Sequence, residues 1–234
     1  MSDAEKWASI YRGEMETLLR AAENPQPHQV ELADLLNNLA TKEGLRSSIE
    51  LGAGYGITTL RLRALGERTI LDNNRESLAA SSALFERLGE RVTVLEKDFF
   101  ALGDFPATYD LVFNSGVVEH FTREERIRLL GVMRGLVRPG GYVVVAYPNH
   151  GSLPYRLSYW YQVRKKLWIY PPEYHIRGFA REAKAAGLQV CDRLQLDHET
   201  IYCFLPWRAK RFFRAVARLY PLEGYLTTWV LKRP

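Results

Sequence analysis

Short hydrophobic runs alternate along the chain with segments in which hydrophobic residues recur at every third or fourth position. The runs predict strands at SIEL (48–51), RTIL (68–71), RVTVLE (91–96), YDLVFN (109–114) and YVVVAY (142–147). The segments between them predict helices over residues 57–65, 74–88 and 122–137. Because strands that are apolar throughout are typical of parallel sheets covered on both faces, this alternation predicts a doubly wound α/β fold.

Turn and cap residues divide this pattern into elements. Two helical stretches within residues 3–42 are separated at residues 24–27, where proline interrupts a helix. Thr122 and Glu125 have the spacing of a capping box, and the RPGG turn at 138–141 ends the helix that they start. We therefore divide the chain into an N-terminal helical cap (1–46) and one α/β domain (47–234).

The first predicted strand runs directly into a glycine-rich segment, SSIELGAGYGI (47–57). In doubly wound folds ligands bind at the carboxyl ends of the strands, and glycine lets a ligand approach the backbone closely. A dinucleotide fingerprint would place its third glycine at position 57, where this chain has Ile57, so the spacing disfavours NAD. A glycine turn that only connects two elements remains the alternative.

Composition narrows the class of protein. The chain has 234 residues, of which 47% are hydrophobic and 25% charged, a balance typical of globular domains. The N-terminus is charged, and the two cysteines, Cys191 and Cys203, form no CxxC pair; both are interpreted as packing residues. We expect a cytoplasmic protein without a transmembrane segment. The net charge of +5 permits an anionic partner without requiring one.

The glycine segment belongs to a longer series of motifs. Glu50, Gly52, Gly54 and Gly56 alternate along the chain, and Asp72 follows at the end of the second predicted strand. This pattern resembles the first two motifs of the class I S-adenosylmethionine-dependent methyltransferases. The resemblance continues in order through EKDFFAL (96–102), YDLVFNSGVVEHF (109–121) and RPGGYVVVAYPN (138–149). It implies a Rossmann-like, mostly parallel seven-stranded sheet, with a helix and a reversed strand in 173–190 and an antiparallel last strand in 224–233.

The same resemblance implies a cofactor, S-adenosyl-L-methionine, and the residues that hold it. Glu50 and the loop Gly52, Ala53 and Gly54 would face its methionine part, and Asp72 would accept hydrogen bonds from its ribose hydroxyls. The adenine would lie against Asn73, Asp98 and Phe99, and the methionyl ammonium against Asn114 and Ser115. Glu50 could instead brace the loop and Asp98 could cap a turn, whereas a buried acid at position 72 is costly without a partner.

The implied reaction is an in-line displacement, which needs a base when the acceptor is a hydroxyl or an ammonium group. The candidate catalytic residues are Glu119, His120 and His150, and the candidate substrate-binding residues are Tyr11, Trp160 and His175. Glu119 could also close the cofactor pocket, with His120 packed beneath it. His28 and His198 have no feature that distinguishes them from surface residues.

Two segments go beyond a minimal member of the family. Residues 148–173, after the fifth strand, interleave Trp160 and Trp168 with four basic residues and predict either a lid over the acceptor or a helix packed on the sheet edge. As a lid they would shape an apolar pocket, with the basic groups available to an anionic acceptor. Residues 205–221 predict a basic amphipathic helix that docks on its own domain, with weak contact to a membrane surface as the alternative.

The leading hypothesis is therefore methyl transfer to oxygen, nitrogen or carbon of a small molecule. An RNA-terminal ribose methyltransferase is the alternative, and it would use a metal held by a Glu-x-x-Glu-His pattern. Glu119 and His120 fit that pattern, but Gly116 stands in place of its first acid, so we expect no metal and no nucleic acid. An NAD-dependent oxidoreductase and a module that binds the cofactor without turnover are the remaining alternatives.

Overall fold

One seven-stranded sheet organises the chain. The computed structural model describes residues 6–7, 15–103, 105–106, 108–200, 205–219 and 223–234. The strands are β1 Ser47–Leu51, β2 Glu67–Asp72, β3 Thr93–Glu96, β4 Tyr109–Ser115, β5 Val137–Pro148, β6 Gln189–Leu196 and β7 Leu226–Lys232. Their order is β3-β2-β1-β4-β5-β7-β6, and β7 runs antiparallel to both of its neighbours. The predicted fold class and the antiparallel last strand, β7, are confirmed. The strand β6, which begins in the segment 173–190 and which the sequence predicts to be reversed, instead has the same direction as β1–β5.

The helices lie mainly in the connections between the strands. They are α1 Met15–Glu23, α2 Pro27–Glu43, α3 Ile57–Leu60, α4 Arg75–Arg87, α5 Arg123–Leu136, α6 Leu153–Arg164, α7 Ala180–Ala185 and α8 Trp207–Ala217, with short 3₁₀ turns at Phe99–Ala101 and Val118–His120. The break between α1 and α2 falls at the predicted prolines, with Pro27 in the first turn of α2. The Thr122 hydroxyl and the Glu125 carboxylate form the predicted capping box of α5.

Helix α3 ends five residues earlier than the sequence predicts. The side chain of Asn37 on α2 donates to the Arg61 carbonyl oxygen at 3.0 Å and accepts from the Ala64 amide at 3.0 Å. These bonds satisfy backbone groups that a longer helix would have paired internally. The chain therefore leaves the helix after Leu60 and buries Leu62 under α2 instead.

Two hydrophobic layers cover the sheet. On one face Leu129 and Met133 of α5 pack with Val112 and Val143, and on the other Leu36 of α2 packs with strand residues of β4 and β5. All five residues of β1 are buried, including the polar residues Ser47, Ser48 and Glu50, as expected for a central strand covered on both faces. The carboxyl ends of β1, β2, β4 and β5 therefore meet at one edge between the two layers.

Two smaller expectations concern cysteine and the membrane. Cys191 lies on the outer strand β6 and is exposed, so it is not the packing residue that the sequence suggested. Cys203 lies outside the described residues. Within the part of the chain that the structure describes, no helix has the length and apolar character needed to cross a bilayer.

Candidate active site

A cavity of about 1170 Å³ opens where the carboxyl ends of the strands meet, and the glycine loop forms one of its walls. Gly52, Gly54 and Gly56 have φ values of 66°, 53° and 65°, which residues with a Cβ rarely adopt. A Cβ on Gly52 would lie 2.8 Å from Cγ2 of Val117, so glycine also allows the loop to pack closely against the segment after β4. The Gly52 amide donates to the Leu71 carbonyl oxygen at 2.8 Å, which fixes the loop to β2.

Asp72 connects this loop to the start of α4. Its carboxylate is 9% exposed, lines the cavity and accepts the backbone amides of Gly54 and Asn74, each at 2.9 Å. The acid therefore has the partners that its burial requires. A carboxylate has about four lone-pair positions, so two stay available for hydroxyl groups of a ligand in the cavity.

Glu50 lies beneath the loop. Burial raises the pKa of its carboxyl group to about 7, although a hydrogen bond from the Thr59 hydroxyl (2.6 Å) acts in the opposite direction. The carboxyl group lines the cavity as well as bracing the loop. Both of the roles that the sequence left open are therefore compatible with its position.

The other predicted cofactor residues divide into two groups. Ala53, Asn73, Phe99 and Ser115 line the cavity. Gly54, Asp98 and Asn114 are not among its lining residues. The exposed Asp98 accepts the Phe100 amide at 2.8 Å and caps the turn there, which is the alternative role that its sequence allowed. Asn114 is buried, with its Nδ2 3.6 Å from Sδ of Met133.

Two carboxyl groups, those of Glu119 and Glu173, line the cavity together with His120 and residues 167–170, and we call this part of the cavity the acceptor half. Glu119 is 2% exposed, and its Oε2 has no hydrogen-bond partner among the described residues. Burial, followed by repulsion from Glu173, holds the pKa of Glu119 well above its ordinary value. The raised pKa favours the protonated form, and it makes the ionised form a stronger base toward a molecule bound beside it.

The side chain of Glu173 is itself held by two neighbouring side chains. Its oxygens accept the Tyr155 hydroxyl at 2.8 Å, and Nε2 of His150 lies 2.9 Å from Oε2. Nδ1 of His150 accepts the Ile176 amide at 3.0 Å, so the proton of the neutral ring is on Nε2 and points at Glu173. His150 therefore lies behind Glu173 and lines a separate cavity of about 250 Å³.

The remaining predicted residues have different surroundings. His120 lines the acceptor half, and its Nδ1 lies 3.2 Å from the Pro172 carbonyl oxygen, which requires the proton on Nδ1. Nε2 of His120 is 3.9 Å from Oε1 of Glu119.

His175 lines the smaller cavity, and burial lowers its pKa. Trp160 is 60% exposed and is not among the lining residues, so its position does not support contact with an acceptor. Tyr11 lies outside the described residues.

The aromatic wall of the acceptor half comes from other residues. Trp168 lies edge-on to Tyr159 (4.8 Å between ring centroids) and to Tyr170 (5.3 Å), and Trp7 lies edge-on to His120 (5.1 Å). Trp7, Trp168 and Tyr170 line the cavity. The segment after α6, together with Tyr155 and Gln162 of α6, therefore provides the lid-like contacts that the sequence predicted for residues 148–173.

His28 is the residue that the sequence analysis missed most clearly. It lines the cavity beside Tyr225, and its Nδ1 is 3.6 Å from Oδ2 of the fully buried Asp197. Burial alone would raise the pKa of Asp197, but His28 and the backbone amides of Glu199 and Thr200 lower it to about 2. No local pattern joins positions 28 and 197, so only the three-dimensional structure could reveal this pair.

Carboxyl groups dominate the charge of the cavity. Glu50, Asp72, Glu76, Glu119 and Glu173 line it, and among the described residues Arg75 is the single arginine or lysine that does so. The basic residues of the segment 148–173 do not line it, so the structure gives no support to a basic pocket for an anionic acceptor. Within the described ranges no three His, Cys, Asp or Glu side chains are arranged to hold a metal ion.

Comparison with known proteins identifies the fold. A family described as a methyltransferase domain matches residues 49–141. No curated protein matches the chain in sequence. Among solved structures, magnesium protoporphyrin IX methyltransferase from Synechocystis PCC 6803, with bound S-adenosylhomocysteine (SAH), is 14% identical, with a TM-score of 0.62 over 98% of this chain and 93% of that chain. At that identity the similarity shows the fold alone.

Two further structures have the same fold. The N-methyltransferase NodS from Bradyrhizobium japonicum WM9, also with SAH, is 12% identical, with a TM-score of 0.62 over 98% of this chain and 97% of that chain. A methyltransferase from Haloferax volcanii, in complex with the activator Trm112, is 16% identical, with a TM-score of 0.64 over 99% of this chain and 96% of that chain. Together with the strand order, they show the class I methyltransferase fold, and residues 49–141 match a methyltransferase domain, an enzyme domain whose cofactor is S-adenosyl-L-methionine.

Proposed function

We propose that the protein methylates an amine nitrogen or a hydroxyl oxygen of a small molecule that binds in the acceptor half of the cavity. The observation that carries this proposal is the Glu119 carboxyl group, which is buried, has no partner for Oε2 among the described residues, and lines the same cavity as Gly52 and Asp72.

The cavity has room for the cofactor and a small acceptor together. Ligand pockets in proteins usually have volumes of about 300–1,000 Å³, and this cavity, at about 1170 Å³, is slightly larger. Gly52, Ala53, Asp72 and Asn73 would hold the cofactor at one end. Its positively charged sulfonium and ammonium groups suit a cavity lined by five carboxyl groups and one arginine.

The chain's own residues would act by positioning and proton transfer. The cofactor, when bound, supplies a methyl group on a sulfonium, and this group leaves sulfur as the acceptor atom attacks in line. In its ionised form Glu119 would accept the proton that the nitrogen or oxygen loses, and the raised pKa makes this form a stronger base than an ordinary carboxylate. Tyr155 and His150 would hold the Glu173 side chain in place beside it. The aromatic residues Trp168 and Tyr170 would exclude water from the acceptor.

A transfer assay tests this function. The protein is incubated with S-adenosylmethionine carrying a labelled methyl group and with panels of small amines, phenols and carboxylic acids. We expect label in amines or phenols but not in carboxylic acids, because the acceptor half offers carboxyl groups and no arginine or lysine among the described residues.

Two matched variants identify the role of Glu119 in that assay. Glu119→Gln should lower kcat by about 10²–10⁴-fold and leave the affinity for SAH unchanged. Glu124→Gln, a change of the same chemistry at an exposed position of α5, should leave both unchanged. Full activity of Glu119→Gln, or transfer to carboxylic acids alone, would contradict the proposal.

A further inference from the structure

Exposed apolar side chains are concentrated on one part of the molecule. Among the described residues, all of the exposed large apolar side chains except Leu88 and Val190 lie in residues 153–174 and 207–219. We call these two segments together the apolar face. Single exposed apolar residues are ordinary on proteins, but a concentration of this kind marks an interaction surface.

Helix α6 shows this concentration as a regular stripe. Leu153, Leu157 and Trp160 follow one another at helical spacing and are 60%, 44% and 60% exposed. The opposite side of the helix is also apolar, with Tyr155 buried in a cluster with Phe213. A helix on the surface of a globular domain normally has one apolar side, so the second one indicates a partner outside the domain.

Helix α8 continues the same face. It buries Phe213 in the cluster that it shares with α6, whereas Trp207 and Phe212 are each 63% exposed. Leu219, just after the helix, is 77% exposed. The expectation that this helix docks its apolar residues on its own domain is therefore met for Phe213 but not for its neighbours.

The charge of the apolar face has one sign. Its two segments contain nine lysine and arginine residues and one acid, Glu173, whose side chain is 5% exposed and points inward. Arg208 and Arg211 lie 5.4 and 5.9 Å from the ring of Trp207, and Arg164 lies 5.7 Å from the ring of Trp160. Tryptophan and arginine side chains placed together in this way are suited to the boundary between water and lipid headgroups.

We propose that the apolar face docks on the surface of a bilayer that contains anionic phospholipids. The positive charges would pair with the lipid headgroups, and the aliphatic and aromatic side chains would enter the headgroup region. Nucleic acid would pair with the charges but offers nothing to Leu153, Leu157 and Ile169. A second copy of the chain would present the same positive face and would be repelled.

The cavity opens on this face. Leu167, Ile169 and Tyr170 line the cavity and are 59%, 60% and 40% exposed. A docked molecule would therefore hold the mouth of its acceptor half against the bilayer. The docking does not depend on which acceptor is methylated, so it can be tested without knowing the substrate.

Sedimentation with lipid vesicles tests the proposal directly on the full chain. Vesicles of phosphatidylcholine alone are compared with vesicles that also contain phosphatidylserine, at low and high salt. We expect sedimentation with the anionic vesicles, little with the neutral ones, and loss of binding as salt screens the charges. Each basic residue near an anionic surface contributes about fivefold, so the double variant Arg208→Ala, Arg211→Ala should weaken binding by about twentyfold or more.

Matched variants separate docking from folding. Trp160→Ser with Phe212→Ser should also release the protein from anionic vesicles, whereas Leu88→Ser with Arg91→Ala, which lie between α4 and β3 away from the face, should not. Thermal unfolding and SAH affinity should be unchanged in all of these variants. Equal binding to both kinds of vesicle, no binding to either, or a dimer that the Trp160 and Phe212 changes dissociate would overturn the proposal.

Discussion

At the scale of single residues, the Glu119 carboxyl group has the most distinctive environment in the cavity. It is buried, Glu173 faces it from the segment before α7, and His120 lies 3.9 Å from its Oε1. Because burial and Glu173 raise its pKa, the folded protein holds a proton on Glu119 that the unfolded chain would release. This residue therefore links stability to pH.

The first prediction concerns the stability of Glu119→Gln as a function of pH. At a pH below 4.5, the ordinary pKa of a glutamate side chain, the carboxyl group is protonated in both the folded and the unfolded state. Wild type and variant should therefore have similar stability there. As pH rises above 4.5, the unfolded chain ionises first and the wild type loses stability, whereas the variant does not. The variant should therefore gain in melting temperature relative to wild type up to the raised pKa of the folded state.

Thermal unfolding measured from about pH 4 to about pH 8 shows this gain in melting temperature. Glu124→Gln removes an exposed carboxyl group and serves as the control, with no pH-dependent difference from wild type. A difference between Glu119→Gln and wild type that stays constant with pH would show that Glu119 is ionised in the folded protein.

The second prediction concerns Asp72, which has two roles in the structure. It accepts the amides of Gly54 and Asn74 and also faces the cavity. Asp72→Ala should weaken SAH by roughly ten- to a thousandfold, since hydrogen bonds to a charged group contribute about 1.5–3 kcal/mol each. It should also lower the melting temperature, because two buried amides lose their acceptor.

Calorimetric titration with SAH and thermal unfolding measure the two effects separately. Asp72→Asn should weaken SAH as well, since it keeps the shape but removes the charge and one acceptor. Asp34→Asn, an exposed position on α2, is the matched control and should change neither quantity. Unchanged SAH affinity in both Asp72 variants would remove Asp72 from the cofactor site.

At the scale of elements, the helix ends and the segment 148–173 show what sequence can and cannot predict. The strands, the capping box of α5 and the start of α4 at Asn74 follow from local patterns, and the structure has them. The end of α3 depends on Asn37, which lies twenty-four residues away from its partner Arg61. The exposed side of Trp160 likewise depends on which face of α6 meets α8, and no local pattern records that contact.

The third prediction compares two tryptophans of this segment. Trp168 packs edge-on against Tyr159 and Tyr170 and donates from Nε1 to the Pro171 carbonyl oxygen at 3.2 Å, whereas Trp160 is 60% exposed. Trp168→Ala should lower the free energy of unfolding by about 2 kcal/mol, less than for a fully buried aromatic residue. Trp160→Ala should change it by no more than about 0.5 kcal/mol.

Urea unfolding of the two variants measures the difference, and each serves as the control for the other. Once the transfer assay has identified an acceptor, Trp168→Ala should raise the KM for this acceptor, whereas Trp160→Ala should leave it unchanged. Equal losses of stability, or an acceptor KM that only Trp160→Ala alters, would mean that α6 rather than residues 167–170 covers the acceptor.

At the scale of the whole molecule, the strand order decides between the candidate reactions. A dinucleotide-binding sheet has the order 3-2-1-4-5-6 with parallel strands, whereas this sheet inserts the reversed β7 between β5 and β6. The sequence predicted the antiparallel last strand from its resemblance to the family. It could not predict that His28 of α2 and Asp197 after β6 would meet beside the cavity, because their approach depends on how α2 packs on the sheet.

The fourth prediction concerns metal ions. Gly116 stands where a metal-dependent RNA-terminal methyltransferase would need an acid. Among the described residues, Oε1 of Glu119 would lie 3.7 Å from a Cβ at that position. We therefore expect methyl transfer to be unchanged after exhaustive treatment with a chelator. Loss of transfer that a divalent ion restores would favour the RNA-terminal reaction instead.

Calorimetric titration of the wild-type protein with SAH and, separately, with NAD tests the central claim most directly. The glycine loop, Asp72 and the acidic cavity predict one SAH site per chain and no heat of binding for NAD. SAH at a hundred times its Kd should also stabilise the fold by about 2.7 kcal/mol and raise the melting temperature. Binding of NAD without binding of SAH would contradict the account.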